Sequence, residues 1–293
     1  MDFLQLQYFK TLAEYEHMTQ AANALHIVQP ALSRMLRNLE KDMGLLLFDR
    51  DGKNIRLNEN GKIFLHHTNN ILREAEEARN VLADRRGKNE RQVRLSMYAA
   101  TGLMPDIIRS FKKRNPDILI KITQSGVNGE GMPDNCDILI SSAIQPPDKH
   151  NCMVLLQEEI LLAVPVSHSL GTRKSVRLVE IAQAPFISLH KGSALRTVTN
   201  VYCRQAGFEP KTVLESDNPS AVRDLIGLGV GLCFVPKLTW AGIDYGPEVS
   251  LVEIEEPNCS RHIYMMWNEN RYIPSAAKLL QKHLTRYFAK LGK

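Results

Sequence analysis

Between Gln29 and Arg37 the chain reads QPALSRMLR, and four of these side chains could do recognition chemistry. The amide of Gln29 can pair with adenine through two hydrogen bonds, and the guanidinium forks of Arg34 and Arg37 fit guanine or a phosphate. The hydroxyl of Ser33 suits a phosphate or a base edge. Leu32, Leu36 and Leu39 fall among them at helical spacing, so one helix would bury its leucines and turn the polar groups outward. A solvated face on an ordinary helical hairpin has the same pattern, and the residues alone leave both readings open.

The elements that would position these groups can be read on either side. Pro30 fits the first position of the helix, where a missing N–H costs nothing, and Gly44 lies just past its end. Thr19 is placed as the N-cap of a shorter helix ending near Leu25. Ala21, Ala22 and Ala24 are small enough for two helices to cross closely. Phe3, Leu6, Phe9, Leu12 and Ala13 predict a first helix over residues 2–15. Asp51-Gly52, within FDRDGKNIRLN, is a hairpin turn flanked by short extended segments. This is the element order of a winged helix-turn-helix.

A long helix is predicted from Glu59 to about Arg86. Phe64, Thr68, Ile71, Ala75, Ala78 and Leu82 alternate spacings of four and three along it, which is a heptad seam. A partner helix is implied, most simply from a second copy of the chain. Packing of the seam on its own domain is the alternative. RRGKNER, Arg85 to Arg91, reads as a hinge.

Composition bounds the rest. The 293 residues suit two or three domains, and 44% hydrophobic with 24% charged residues fits a soluble globular protein. No run of about 18 apolar residues exists to span a membrane, and MDFLQLQYFK lacks the pattern of a secretion signal. A cytoplasmic location is expected, with Cys136, Cys152, Cys203, Cys233 and Cys259 as scattered reduced thiols. The net charge is +5, yet residues 1–90 hold 13 basic and 13 acidic side chains, so the whole excess lies in residues 91–293. Global charge therefore gives no support to nucleic-acid binding by the N-terminal part; only the placement of individual charges can.

Past the hinge, QVRLSMY, ILIKITQ, CDILISS, EEILLAVP, TVLES, GLCFVP and SRHIYMMWN read as strands. MPDIIRSFKKRN, the segment after KGSALRTVTNVYCRQAG opens, NPSAVRDLIGLG and SAAKLLQKHLTRYFAKL read as helices. The alternation predicts parallel α/β sheets, in a span long enough for two small lobes.

The stretch TQAANALHIVQPALSRMLRNLEKDMGLLLFDRDGKNIRLNENG resembles the N-terminal winged helix-turn-helix of the LysR-type transcriptional regulators. The matching positions are Ala21-Ala22, Leu25-His26, Gln29 to Ser33, Leu39-Glu40, Gly44, Leu47-Phe48, Arg50, Leu57 and Gly61. The resemblance implies a winged helix-turn-helix over 1–58 and a dimerising helix and hinge over 59–90. It also implies a two-lobed effector domain over 91–293, like a type 2 periplasmic binding protein. The first lobe is placed at about 91–163 and 266–293 and the second at about 164–265. It further implies that Thr19, Gln29, Pro30, Ser33, Arg34 and Arg37 face DNA, that Arg50, Lys53 and Arg56 lie around the wing, and that Phe64, Ile71, Ala75, Ala78 and Leu82 dimerise. Two departures stand out. Val28 replaces the usual hydroxyl residue before Gln-Pro, which removes a helix cap. GVNGEGMPDN is too rich in Gly, Asn and Pro for the helix usual at that place.

Ligands of such two-lobed domains sit between the lobes, where strand ends and helix N-termini converge. The resemblance points to Thr101, beside Gly102, as a ligand contact. Ser125 and Ser141 are expected to follow strands. Ser193 would open a helix with Arg196 in its first turn, and Ser216 precedes another helix. Each has a plain alternative as a cap. The charge of residues 91–293 mildly favours an anionic effector. No cofactor, metal or catalytic role is expected. GLGVG, Gly227 to Gly231, lacks the third glycine of a dinucleotide loop and ends a helix instead of opening one. His66-His67 and Ser167-His168-Ser169 have no acid or metal-spaced partners. The expected partners are double-stranded DNA, a small-molecule effector and further copies of the chain as dimer and tetramer, with RNA polymerase a candidate and no membrane. The competing class is a small-molecule-binding or enzymatic α/β protein whose helical N-terminus serves only oligomerisation.

Overall fold

A computed structural model of the 293-residue chain describes residues 1–51, 54–85, 92–124, 132–133, 136–240, 245–268 and 272–292. The chain divides into two compact units, Met1–Asn89 and Glu90–Lys293.

In the first unit, α1 (Phe3–Tyr15) is opened by a capping box. Asp2 Oδ1 accepts from the N–H of Gln5, and Gln5 Oε1 accepts from that of Asp2. It buries Leu6, Phe9 and Leu12. The next helix, α2 (Met18–Ala24), is capped by His17, whose Nδ1 accepts from the N–H of Gln20. Thr19, expected at that cap, lies inside the first turn instead, because the helix starts earlier than the side-chain preference implied. Ala21 and Ala22 are fully buried where α2 meets its neighbours. The third helix, α3 (Gln29–Met43), buries Leu32, Leu36, Leu39 and Glu40 and ends on Gly44 in the left-handed region at φ 69°.

β1 (Phe48–Asp51) and β2 (Asn54–Leu57) form an antiparallel ribbon. α4 (Glu59–Arg85) follows, and Gly61 lets it approach: a Cβ there would stand 2.1 Å from Leu47 O. The predicted seam divides along α4. Phe64 is half-buried, with its ring 4.9 Å from that of Phe9, and Thr68 is buried. This end of the seam packs on α1 of its own chain, contrary to the assignment of Phe64 to a partner helix. Farther along, Ile71 is 44% and Leu82 58% exposed, Ala78 is exposed and Ala75 half-buried.

The second unit begins with β3 (Gln92–Met97), a 3₁₀ turn over Thr101–Leu103, α5 (Met104–Lys112), β4 (Leu119–Thr123) and β5 (Ile138–Ala143). Then come β6 (Cys152–Pro165), β7 (Ser175–Arg177), β8 (Pro185–Leu189), α6 (Ala194–Gln205), β9 (Lys211–Ser216) and α7 (Pro219–Ile226). β10 (Cys233–Pro236), β11 (Val249–Glu256), β12 (Ser260–Trp267) and α8 (Ser275–Leu291) complete it. The strands β7, β8 and β11 were not recognised in the sequence. One sheet runs β4-β3-β5-β12-β6-β11-β7, with β10 also on β6, and β8 pairs with β9. Pairing is parallel at β3–β4, β3–β5, β7–β11 and β8–β9. It is antiparallel at β5–β12, β6–β12, β6–β10 and β6–β11, so the sheet is mixed where alternation alone predicted parallel strands.

Two cores result. The first gathers α5, α8 and β3 with Ile138, Ile140, Leu156, Ile263 and Met265; the second gathers β7, β8, α6 and β10 with Ile160 to Val164 and Ile254. Fourteen-residue β6 belongs to both. Ile263 and Met265 lie in the first core, whereas a lobe boundary at 265 assigns them to the second.

Candidate functional site

The helix α3 resolves the polar stripe into positions. Its leucines point inward, while Gln29, Pro30, Arg34 and Arg37 are exposed and Ser33 is half-buried. Arg37 Nη1 donates to Ser33 Oγ at 3.2 Å, which ties the two together one turn apart. Thr19 on α2 is exposed. Among the described residues, no carboxylate lies within ion-pair distance of Arg34, Arg37 or Arg56. Val28 is the N-cap residue, in extended conformation and without a side-chain cap bond. Arg50 lies on β1, paired in register with Ile55, and its side chain is outside the described set; Arg56 on β2 is exposed. Lys53 and Ser125 lie outside the described residues.

Two carboxylates hold this surface in shape, and neither role was read from the sequence. Glu40 is buried and accepts the N–H of Leu47 at 2.9 Å. Glu16 accepts the N–H of Leu57 at 2.8 Å. They anchor the chain entering β1 and the end of β2, and so fix the ribbon beside α3. A charge bordering the buried leucines of α3 was the available signal for Glu40.

The effector candidates divide into two groups. Thr101 is half-buried and Gly102 exposed, in the 3₁₀ turn beyond the C-terminal end of β3. Ser193 and Ser216 gather at the C-terminal ends of parallel β8 and β9, Ser216 as the last residue of β9. Ser193 N donates to His190 O, and His190 N donates to Ser216 O. Ser193 also caps α6, its Oγ accepting from Arg196 N at 3.5 Å, and Ser216 Oγ accepts from Asn218 N at 3.1 Å. Both hydroxyls therefore already have the local work of the plain alternative.

Ser141 and Ser142 lie inside β5, not after it, and both are buried. Ser141 is hydrogen-bonded to Tyr264, its partner across the strand pair. Burial raises the pKa of the Tyr264 phenol.

Arg196 differs from its expected open position. It is 7% exposed; Nη1 donates to Leu189 O at 2.8 Å and to Glu215 Oε2 at 3.2 Å, and Nη2 donates to Thr212 Oγ1 at 3.0 Å. Most of its donors thus staple α6 to β8 and β9, leaving Nε buried without a partner. Together with Ser188, Thr199, Val222, Phe234 and Trp240 it lines a crevice of about 260 Å³, mouth included.

Where the two cores meet, four segments converge on a buried carboxylate that the sequence reading passed over. Glu158 of β6 accepts at Oε1 from Arg261 Nε and Thr239 Oγ1, each at 2.9 Å. At Oε2 it accepts from the N–H groups of Leu238 at 3.0 Å and Thr239 at 2.8 Å. Arg261 of β12 completes the cluster with Ser142 Oγ at 3.2 Å and Thr239 Oγ1 at 3.0 Å. Burial pulls the Arg261 pKa down, while the Glu158 charge opposes the shift. The helix α6 packs against β5, and Tyr202 Oη donates to Ser260 O, which holds this second-lobe helix at the start of β12.

Among the described residues no group of three or more His, Cys, Asp or Glu could hold a metal ion, and no helix is long and apolar enough to cross a membrane.

A helix-turn-helix with a β-ribbon wing, a long following helix, and a two-core mixed α/β unit define the class of a bacterial one-chain regulator with separate DNA and effector units. Residues 3–62 match the family described as bacterial regulatory helix-turn-helix protein, lysR family, and residues 86–289 match the LysR substrate binding domain. The chain belongs to the LysR family of transcriptional regulators, which bind DNA through the helix-turn-helix and effectors through the substrate-binding domain. It is 31% identical over 294 residues to the HTH-type transcriptional regulator YybE of Bacillus subtilis (strain 168), covering 99% of this chain and 100% of YybE. Its fold is similar to that of a full-length OxyR variant from Pseudomonas aeruginosa, with TM-score 0.70 at 22% identity over 97% of this chain and 94% of that one. It is also similar to full-length CbnR in complex with its target DNA, with TM-score 0.67 at 22% identity over 98% and 99%.

Proposed function

We propose that this regulator reads operator DNA in the major groove through Gln29, Ser33, Arg34 and Arg37 of α3, with Thr19 and Pro30 beside them and Arg50, Lys53 and Arg56 on the flanking phosphates or minor groove. The observation that carries this reading is the division of α3. Its leucines are buried and its hydrogen-bonding side chains stand outward on an uncovered face. Two copies joined along Ile71, Ala75, Ala78 and Leu82 set two such helices on successive major grooves of a partly palindromic site. Two dimers form a tetramer, cytoplasmic with its DNA, that carries no catalysis and contacts RNA polymerase. An effector bound near Thr101, Gly102, Ser193 and Ser216 favours one arrangement of lobes or subunits and thereby the spacing or bend of the bound DNA. A small anion is the effector class favoured by the excess positive charge of residues 91–293. Arg196 contributes little to that anion, since most of its donors are engaged within the chain.

Gel-shift titrations of the full chain across salt concentrations test the DNA reading. Arg34→Ala is expected to weaken operator binding most among the helix arginines. Lys53→Ala is expected to weaken binding to all sequences alike and lower the salt slope by about one unit. An Arg34→Ala titration superimposable on wild type, or an unchanged slope for Lys53→Ala, would count against these assignments. Titration calorimetry with a panel of small carboxylic acids tests the effector class; tight binding only of neutral or cationic compounds would overturn it.

A further inference from the structure

The most exposed large apolar side chain among the described residues, the N-terminal Met1 included, is Val28, at 69%. It stands at the N-cap of α3, directly before Gln29 and on the end of the helix that the proposed DNA reading places in the major groove. Its backbone is fixed: the Val28 carbonyl accepts from Ala31 N at 3.0 Å and from Leu32 N at 3.4 Å. A β-branched side chain on a fixed backbone is stiff at χ1, so its two methyl groups are held in place. The position forgoes something for this. Serine or threonine here would accept a cap hydrogen bond from the first turn of the helix, whereas Val28 makes none.

Gln29, Pro30 and Ala31 beside it are exposed as well, and Arg34 and Arg37 follow on the same helix without carboxylate partners among the described residues. An anionic partner fits those surroundings, and within a DNA major groove the apolar group on offer is the C5-methyl of thymine. We propose that Val28 is a specificity-determining residue that packs on the C5-methyl group of one thymine in each operator half-site. This rests on α3 being the DNA-reading helix, and it assigns to the N-cap position a base preference in place of a helix-capping role.

The test isolates a single methyl group. Preferred duplexes are selected from a random pool by the full-length protein, and each thymine in turn is then replaced by deoxyuridine, which leaves base pairing unchanged. Wild type is expected to lose about fourfold in affinity at one thymine per half-site, the effect of exposing one methyl-sized group. Val28→Ala and Val28→Ser are expected to show no difference between thymine and uracil at that position. Neither variant loses a cap bond, because none is present, so both retain the fold. Three results would overturn the proposal: duplex binding with no methyl-sensitive position, the same sensitivity persisting in Val28→Ser, or a change of oligomeric state in Val28→Ser without a change in base preference. The last would mark Val28 as a contact between copies. If the wild-type protein shifted no duplex at all, the DNA reading would fall and this proposal with it; binding without methyl dependence would remove this proposal alone.

Discussion

Removing the Glu158 carboxylate should be among the most destabilising single changes in the second unit, and it should be worse than removing its arginine. Glu158→Ala takes away the acceptor for Arg261 Nε, Thr239 Oγ1 and the N–H groups of Leu238 and Thr239 at once. It leaves a guanidinium that is buried and without its counter-charge. Breaking a buried pair this way costs about 3–5 kcal/mol. For a unit of this size that corresponds to a fall of roughly 6–20 °C in the melting temperature. Arg261→Met is milder, because the carboxylate keeps three of its four donors. Glu158→Gln is not conservative here, since its amide NH₂ would face N–H or O–H donors whichever way it turned. Differential scanning calorimetry of the full chain separates the transitions of the two units and should show the first unit unmoved. The reasoning fails if Arg261→Met melts below Glu158→Ala, or if Glu158→Ala stays within about 2 °C of wild type.

Burial pushes the Cys203, Cys233 and Cys259 thiols up to about 12, so a thiol reagent at pH 8 should leave all three unmodified until the chain unfolds; their rapid modification in the native protein would contradict that packing. Ile71→Asp combined with Leu82→Asp should convert the proposed dimer to monomer in sedimentation equilibrium, since both positions are exposed on the single chain; an unchanged dissociation constant would remove α4 beyond Thr68 from the proposed interface. Burial lowers the pKa of His283 below 6.5, where its Nε2 lies 2.9 Å from Ser110 Oγ. A folded pKa below the unfolded one means that protonation favours unfolding, so its stabilisation is held above pH 6.5 and lost as the pH falls through the lowered value. Comparison of His283→Asn with wild type should show a flatter loss of stability in acid for the variant, and parallel curves would refute the assignment.

The first unit was largely legible because its signals are local. Pro30, Gly44 and the Leu32, Leu36, Leu39 stripe each act within one helix, and the structure puts all of them where the spacing did. The cap at His17 escaped notice since Thr19 is the better cap by type, and which residue leaves the helix first depends on how α2 meets α1 and α3. The heptad of α4 named the right residues but not their partners: Phe64 finds Phe9 in its own chain, a contact between residues far apart in sequence. In the second unit β7, β8 and β11 were missed, being short or strongly polar on one face. Glu158 and Arg261 carry a signal in the sequence itself. Glu158 falls in phase with Leu156 and Ile160, and Arg261 with Ile263 and Met265. Opposite charges in the core phase of two strands are a signal that the strands are neighbours. Arg196 was assigned to the cleft by its place in a first helical turn, which says nothing of whether Leu189, Thr212 and Glu215 will claim it first.

The neutrality of residues 1–90 bears on how such a protein finds its site. If Arg34, Arg37, Arg50, Lys53 and Arg56 all met phosphates, the salt slope would be about −4.5 for one protomer and about −9 for a dimer. A fourfold rise in salt would then cost a lone protomer about 500-fold in affinity and a dimer about 3 × 10⁵-fold. Those are ceilings, because any of these groups that reads a base releases fewer counter-ions, and the 13 acidic side chains of the same unit repel the duplex. Non-specific attraction is therefore weak per protomer, and little of it survives at cellular salt. Two consequences follow from the same arithmetic. On the proposed DNA reading a single chain would hold DNA only briefly, which gives the exposed Ile71–Leu82 half of the seam a role in joining two copies. On the same reading the choice among sequences would rest on the proposed base contacts at Val28, Gln29, Ser33, Arg34 and Arg37, where each good contact would weigh more against a small electrostatic background than it would on a strongly basic domain.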